Sequence, residues 1–427
     1  MTTDIHVRSQ GISPSVARIM TASLIGTAIE FYDFYIFGTA AALAFGQIFF
    51  PSHSPNAQTL AAFATFGIAF LARPIGSALF GHFGDRHGRK STLVGSLLLM
   101  GISTTLIGAL PDYSAVGLWA PVALCLLRLT QGVGLGGEWG GAALLAVENA
   151  PNDRQAWFGM FPQLGPPLGF LMANGLFLLL FRFLTNGQFA AWGWRIPFLL
   201  SAILVALGLY VRVQLSETPA FAQLAARNAR VRVPLGILLR DHSVHLVLGS
   251  LAMVVCYAIF YVSTVFALSY GTRIGHIPQE KFLGLLCVAI TLMAIVTPLS
   301  AFLSDRFGCR PILMLGSAFA ALSAFSMQPL LGGGGTAGAL AFLCIELGLM
   351  GFLFAPMGAY LPSLFPPAVR YTGASATYNL GGILGASLAP YIAQLLLARG
   401  GLAAVSVYLS CAAVVSLFAV VLLRPRA

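Results

Sequence analysis

The sequence predicts an all-α integral membrane protein with twelve transmembrane helices in two pseudo-symmetric six-helix bundles. Three observations carry that expectation. Of the 427 residues, 58% are hydrophobic and only 8% are Asp, Glu, Lys or Arg. A soluble domain carries about 25% charged residues, so this chain cannot coat itself for water and its solvent must be lipid. Its apolar residues run in stretches close to the ~20 that a helix needs to cross a bilayer. A short basic loop recurs at the same place in each half.

Taken in order, the spans of the first half fall near residues 17–42, 58–81, 91–110, 118–146, 157–181 and 191–213. Those of the second fall near 243–270, 282–303, 311–331, 337–361, 371–397 and 401–423. The breaks are short except for 214–242, a polar stretch carrying Arg227, Arg230, Arg232 and Arg240. It separates an amino-terminal bundle, 1–213, from a carboxyl-terminal bundle, 243–427, and reads as a cytoplasmic linker. With the amino terminus in the cytoplasm, sixteen Lys and Arg residues fall on the cytoplasmic side. Only Arg182, Arg195, Arg273, Lys281 and Arg399 fall opposite. Positive residues gather inside, so both termini are expected in the cytoplasm. No cleavable signal peptide is expected, because the first apolar stretch follows Arg8 and Arg18 and exceeds the ~7–15 residues of a signal core.

The net charge of +10 does not indicate nucleic acid. The basic residues stand singly or in twos and threes between apolar runs, with no stripe on a soluble module. The six cysteines, Cys125, Cys256, Cys287, Cys309, Cys344 and Cys411, form no CxxC pair and read as buried free thiols.

GHFGDRHGRK (Gly81–Lys90) follows the second span, and AFLSDRFGCR (Ala301–Arg310) follows the eighth. Asp-Arg-x-Gly thus recurs at one topological position, the pattern of transporters with parallel repeats and a site at the membrane midplane. The first copy resembles the loop signature of the major facilitator superfamily, which joins the second and third helices. Further segments are similar to its metabolite:proton symporter branch, the shikimate, α-ketoglutarate, citrate and proline-betaine permeases. They are GTAIEFYDFYIFGTAA in the first span, RLTQGVGLGGEWGGA in the fourth, GWRIPFLL opening the sixth and LSETPAF closing it. LFPPAVRYTGASATYNLGGILGASLAP enters the eleventh. The resemblance covers nearly the whole chain. It implies the major facilitator fold and proton-coupled import of a small polar metabolite, an organic acid before a zwitterion. A bacterial cytoplasmic (inner) membrane is implied with it, as are a monomer and no cofactor beyond the proton gradient. Departures are Phe31 where the branch usually has Trp, Ala301 and Cys309 in the second loop copy, and Ser363 where a Glu commonly closes the tenth span. They point to a weaker gate in the second half.

A charge at the bilayer centre costs ~2.5–3.5 kcal/mol on the insertion scale, so each ionisable residue inside a span is a functional candidate. Six qualify: Glu30, Asp33, Arg73, Arg128, Glu138 and Glu346. Glu30 and Asp33 are three residues apart and are expected to share a helix face, where two carboxylates repel and one is driven to take a proton. They are the expected proton carriers. Arg128 cannot lose its charge and needs a carboxylate, from Glu30, from Asp33 or from the substrate. Arg73, Glu138 and Glu148 lie toward the cytoplasmic side. They are expected to form a gating latch with Gly81, Asp85, Arg86, Gly88 and Arg89, mirrored by Asp305 and Arg306 in the second loop. By resemblance, the latch stabilises the outward-facing state. Glu346 matches no motif and is a candidate substrate contact or core acid. Gln163, Asn174, Tyr257, Tyr261, Tyr378 and Asn379 are expected to line the substrate path. The glycines from Gly132 to Gly141 are expected to let helices approach closely.

Other functions fit poorly. GDRHGRKS lacks the glycine that should precede Lys90 in a phosphate-binding loop. All seven histidines fall in loops or at helix ends, without the HExxH of a metal enzyme, and no GxSxG is present. No metal site and no enzymatic activity are expected. Efflux by proton antiport shares the fold, but Phe161 and Phe170 replace the outer glycines of its fifth-helix pattern. Uptake of a zwitterionic osmolyte remains the alternative, although osmosensing relatives carry a long tail and this sequence stops at Arg424-Pro-Arg-Ala. Small solute, protons and the lipid bilayer are the expected partners.

Overall fold

The computed structural model describes residues 14–52, 54–87, 89–136, 139–151, 153–214, 234–367 and 369–423. The side chains of 14–19, 22, 23, 78, 81–87, 89–93, 145, 211–214, 234, 235 and 237 are outside the description. Nine of the described segments are long and apolar enough to cross a membrane. Three further crossings complete twelve. The third span, Arg89–Ala109, opens on polar residues, so its apolar part, Val94–Ala109, is short. In the sixth, Asn186–Gly193 meets Arg195–Tyr210 at a 46° bend. The last segment, Arg370–Leu422, is two crossings, because Gly400 and Gly401 leave helical geometry. Gly401 has φ +65°, which suits a residue without Cβ.

The remaining spans are Leu24–Phe49, Pro55–Ser77, Trp119–Glu148, Gln155–Phe183, Ser243–Arg273, Gln279–Phe307, Cys309–Gly332 and Gly335–Ser363. Packing repeats with a period of six spans. The first packs on the fifth, as the seventh does on the eleventh; the second on the fourth, as the eighth on the tenth; the third on the sixth, as the ninth on the twelfth. The two bundles meet through the fifth and eighth spans and through the second and eleventh. Of the expected linker, 215–233 lies outside the described residues, while Pro234–Asp241 is helical.

Lipid gives helices no hydrophobic reason to associate, so close approach does the work. A Cβ on Gly136 would stand 2.1 Å from the Arg73 carbonyl oxygen, and one on Gly132 would stand 2.2 Å from that of Ala69. The second and fourth spans therefore touch backbone to backbone. Gly140 faces Ser375 of the other bundle, with no room for a Cβ. The first and seventh spans each contain a π-helical turn, Ala41–Phe45 and Val262–Phe266, and these two turns meet.

Candidate functional site

Midway along the spans, the bundles meet in an aromatic cage. Phe34, Phe66 and Phe70 of the first half face Tyr257 and Tyr261 of the seventh span, with Tyr261 centred 5.1 Å from Phe66 and 5.5 Å from Phe70. Tyr257 and Tyr261 lie nearly parallel at 6.4 Å, on one face as their four-residue spacing requires. Two guanidiniums share the cage. Arg128, fully buried, lies 3.8 Å from the centroid of Phe37 and 5.1 Å from that of Phe34. Arg73, also buried, lies 4.8 Å from Phe34 and 4.4 Å from Phe70. The structure thus puts Arg73 in the centre and not at the rim where the latch was expected. Its position, one turn from Phe70 in the middle of Pro55–His87, accounts for that.

Arg128 makes no ion pair among the described residues. It donates to Gln131 Oε1 and, at 3.1 Å, to the Phe66 carbonyl, and its Nε has no partner. Gln131 in turn donates to the Asp33 carbonyl at 3.2 Å and to Thr104 Oγ1 at 2.8 Å. An amide bridge, and not the Asp33 carboxylate, therefore joins Arg128 to the first span. Asp33 is fully buried and accepts a hydrogen bond from Ser201 of the sixth span, while its Oδ2 has no partner. Glu30 is buried too. Glu30 stands three residues before Asp33, about 60° round the helix.

Other expected path residues make hydrogen bonds between spans. Gln163 accepts from Trp139 Nε1 and donates to the Phe354 carbonyl, both at 2.9 Å, tying the fifth span to the fourth and tenth. Asn379 donates at 3.0 Å to Ser77 Oγ and to the Gly136 carbonyl. Tyr378 stacks on Trp139 at 3.9 Å, and its backbone carbonyl accepts from the Tyr257 hydroxyl at 3.4 Å. Asn174 accepts from Thr39 at 2.9 Å and donates to the Phe170 carbonyl at 3.2 Å, inside the first bundle. Glu346 is fully buried with both carboxyl oxygens unpartnered. It faces the ninth span, where Ser323 is its neighbour, so it is not gathered into the cage.

The face bearing the Gly81–Lys90 and Ala301–Arg310 loops, the basic face, is closed by Asp305. Its carboxylate accepts from the Ala156 and Trp157 amides at 2.8 and 2.9 Å, capping the positive end of the fifth span across the bundle boundary. Arg306 is exposed over Phe307 and Glu148 is exposed, so neither is drawn into that contact. Gly88 and Glu138 lie outside the described residues, as do the side chains of Asp85, Arg86 and Arg89 and the surroundings of Gly81. The far face is closed by Arg273, which donates to Thr59 at 2.6 Å and to the Ala42 carbonyl at 3.4 Å, and by Gln394, which donates to Asn56 at 3.3 Å. Gln131, Trp139, Ser201 and Arg273 were not singled out from sequence. Gln131 could have been, as a polar residue one turn after a buried arginine.

Two six-span bundles around a polar and aromatic centre, fastened on both faces, define a secondary transporter. Residues 19–232 match the model of the sugar (and other) transporter family, and 278–427 that of the major facilitator superfamily. The chain is 52% identical over 410 residues to the inner membrane metabolite transport protein YhjE of Escherichia coli K12, covering 95% of this chain and 93% of that one. It is 38% identical over 416 residues to the shikimate transporter of the same organism, covering 95% and 94%. A partially occluded, inward-open structure of the E. coli xylose transporter XylE superposes with a TM-score of 0.76 at 17% identity, covering 94% and 96%, a likeness of fold. The chain belongs to the major facilitator superfamily: it is a multi-pass membrane transporter and not an enzyme.

Proposed function

We propose that this transporter imports a small organic acid together with protons, by alternating access, across a bacterial inner membrane. The observation that carries this reading is the pair of buried guanidiniums, Arg73 and Arg128, on one Phe34 ring with no carboxylate partner among the described residues. Neither can shed its charge, and a desolvated cation without a counter-ion costs several kcal/mol. The aromatic faces offset part of that, about 2 kcal/mol for a desolvated cation over a ring. A substrate carboxylate would supply the rest. An aromatic cage alone would also suit a quaternary ammonium, but two guanidiniums already occupy these ring faces and would repel a third cation. An anion fits better than an osmolyte such as betaine.

Asp33 is the proposed proton carrier, with the buried Glu30 as the second. One Asp33 oxygen is held by Ser201 and the other is open to a proton. Gln131 joins the Asp33 backbone to Arg128, so a change at either end is felt at the other. In this reading the basic face and both termini are cytoplasmic, a single chain suffices, and the proton gradient is the only drive. Relatives named for metabolite and shikimate transport support the substrate class, and one named for the inner membrane supports the location. Proteoliposomes with an imposed inward proton gradient test the proposal. An organic acid should accumulate and a protonophore should abolish that accumulation. Equal accumulation of a sugar or of betaine, or indifference to the gradient, would contradict it.

A further inference from the structure

The far face is held differently from the basic face. On the basic face a carboxylate, Asp305, grips two amides of a helix end. On the far face the partly buried gripping group is a cation with neutral acceptors, the Thr59 hydroxyl and the Ala42 carbonyl, while an exposed ion pair, Arg182–Glu280 at 3.3 Å, joins the fifth and eighth spans on the same face. Arg273 sits in the last turn of the seventh span, held there because the Ile274 and Gly275 amides both bond back to the Tyr270 carbonyl. Its acceptor Ala42 belongs to the π-turn of the first span, and that turn packs on the π-turn of the seventh. Such turns widen the hydrogen-bond ring and concentrate where a helix must change shape. Beside them the Gln394–Asn56 bond joins the second and eleventh spans, at a cavity of about 360 Å³ that Tyr270 and Ile274 also line.

We infer that Arg273 is the principal fastener of the far-face gate, that Gln394 and Asn56 seconds it, and that the paired π-turns are where the first and seventh spans part. Three bonds of partly buried groups must break for this face to open, and the strongest are those to the guanidinium; the exposed Arg182–Glu280 pair on the same face adds little, because solvent screens it. Withdrawing Arg273 should therefore shift the resting protein toward a far-open state without touching the cage. The inference concerns the gate alone. It stands whatever the substrate proves to be, and its test needs none.

The experiment uses full-length protein in right-side-out vesicles, with the six native cysteines replaced and Val265→Cys added. Val265, in the π-turn of the seventh span, is buried against Gly38 of the first span, so a membrane-impermeant maleimide reaches it from the far face only when the gate opens. Arg273→Gln should speed labelling roughly tenfold, the effect of losing a hydrogen bond to a charged group, and Arg273→Lys should restore slow labelling in part. Unchanged labelling in Arg273→Gln would overturn the inference. Should that variant fail to insert, Asn56→Cys with Gln394→Cys serves instead. Cross-linking this pair should stop Val265→Cys labelling reversibly, and undiminished labelling of the cross-linked protein would equally overturn it.

Discussion

Asp33 and Gln131 carry the coupling at the level of single residues. Asp33→Asn keeps the shape and the Ser201 contact but removes the proton site. Accumulation against a gradient should be lost while substrate counterflow, which needs no net proton movement, survives in part. Glu30→Gln should do the same more mildly. Full accumulation by both variants would remove these acids from the mechanism. Gln131→Leu leaves the buried Arg128 Nη1 and the Thr104 hydroxyl without their partner, a loss of about 1–3 kcal/mol. It should lower thermal stability and weaken the pH dependence of uptake together; loss of stability alone would make Gln131 merely structural. The charged residues were legible in the sequence because lipid makes each one anomalous. Their partners were not. An amide bridge, a serine five spans along the chain and a ring shared by two guanidiniums depend on helix rotation, which hydropathy does not encode.

Glycine placement and loop charge decide how the elements pack and part. Gly136 lies where a Cβ would meet the Arg73 carbonyl oxygen, so Gly136→Leu must separate the second and fourth spans. Overpacking of this kind costs typically 1–3 kcal/mol or more, and Arg73 moves with the carbonyl. Little folded protein is expected on detergent extraction, whereas Gly175→Leu, at a position with open space around it, should be tolerated. Equal yields would contradict backbone contact between these spans. Asp305 acts on motion instead. A carboxylate at a helix N-terminus contributes about 0.3–1 kcal/mol, up to ~2 kcal/mol when partly buried. Asp305→Asn should therefore let the basic face open more readily, changing the transport rate while affinity stays within several-fold. A large affinity loss at an unchanged rate would contradict a gating role. The loop repeat revealed Asp305; that its partner is the end of the fifth span only the fold reveals.

The whole molecule is fastened on both faces and across its middle, and the period of six in its packing matches the repeat seen in the chain. Twelve spans and the division into halves were legible because each crossing needs its own apolar run. The exceptions have physical reasons: a polar entry shortens the third span, and the last two are parted by only two glycines. What joins the halves was less legible, because hydropathy does not tell that Asn379 and Gln163 bond across the boundary. The central claim is that the cage holds an anion with a guanidinium. It is tested most directly by equilibrium binding of a carboxylate ligand and its carboxamide to wild type and to Arg128→Lys, across pH. A planar fork binds a carboxylate through two bonds where a lysine offers a point charge, and truncating one partner of a buried charge pair costs roughly 2–5 kcal/mol. The carboxylate should lose more than about tenfold in affinity, with the carboxamide weak and unchanged. A carboxamide bound as tightly as the acid, or both ligands weakened alike, would contradict it.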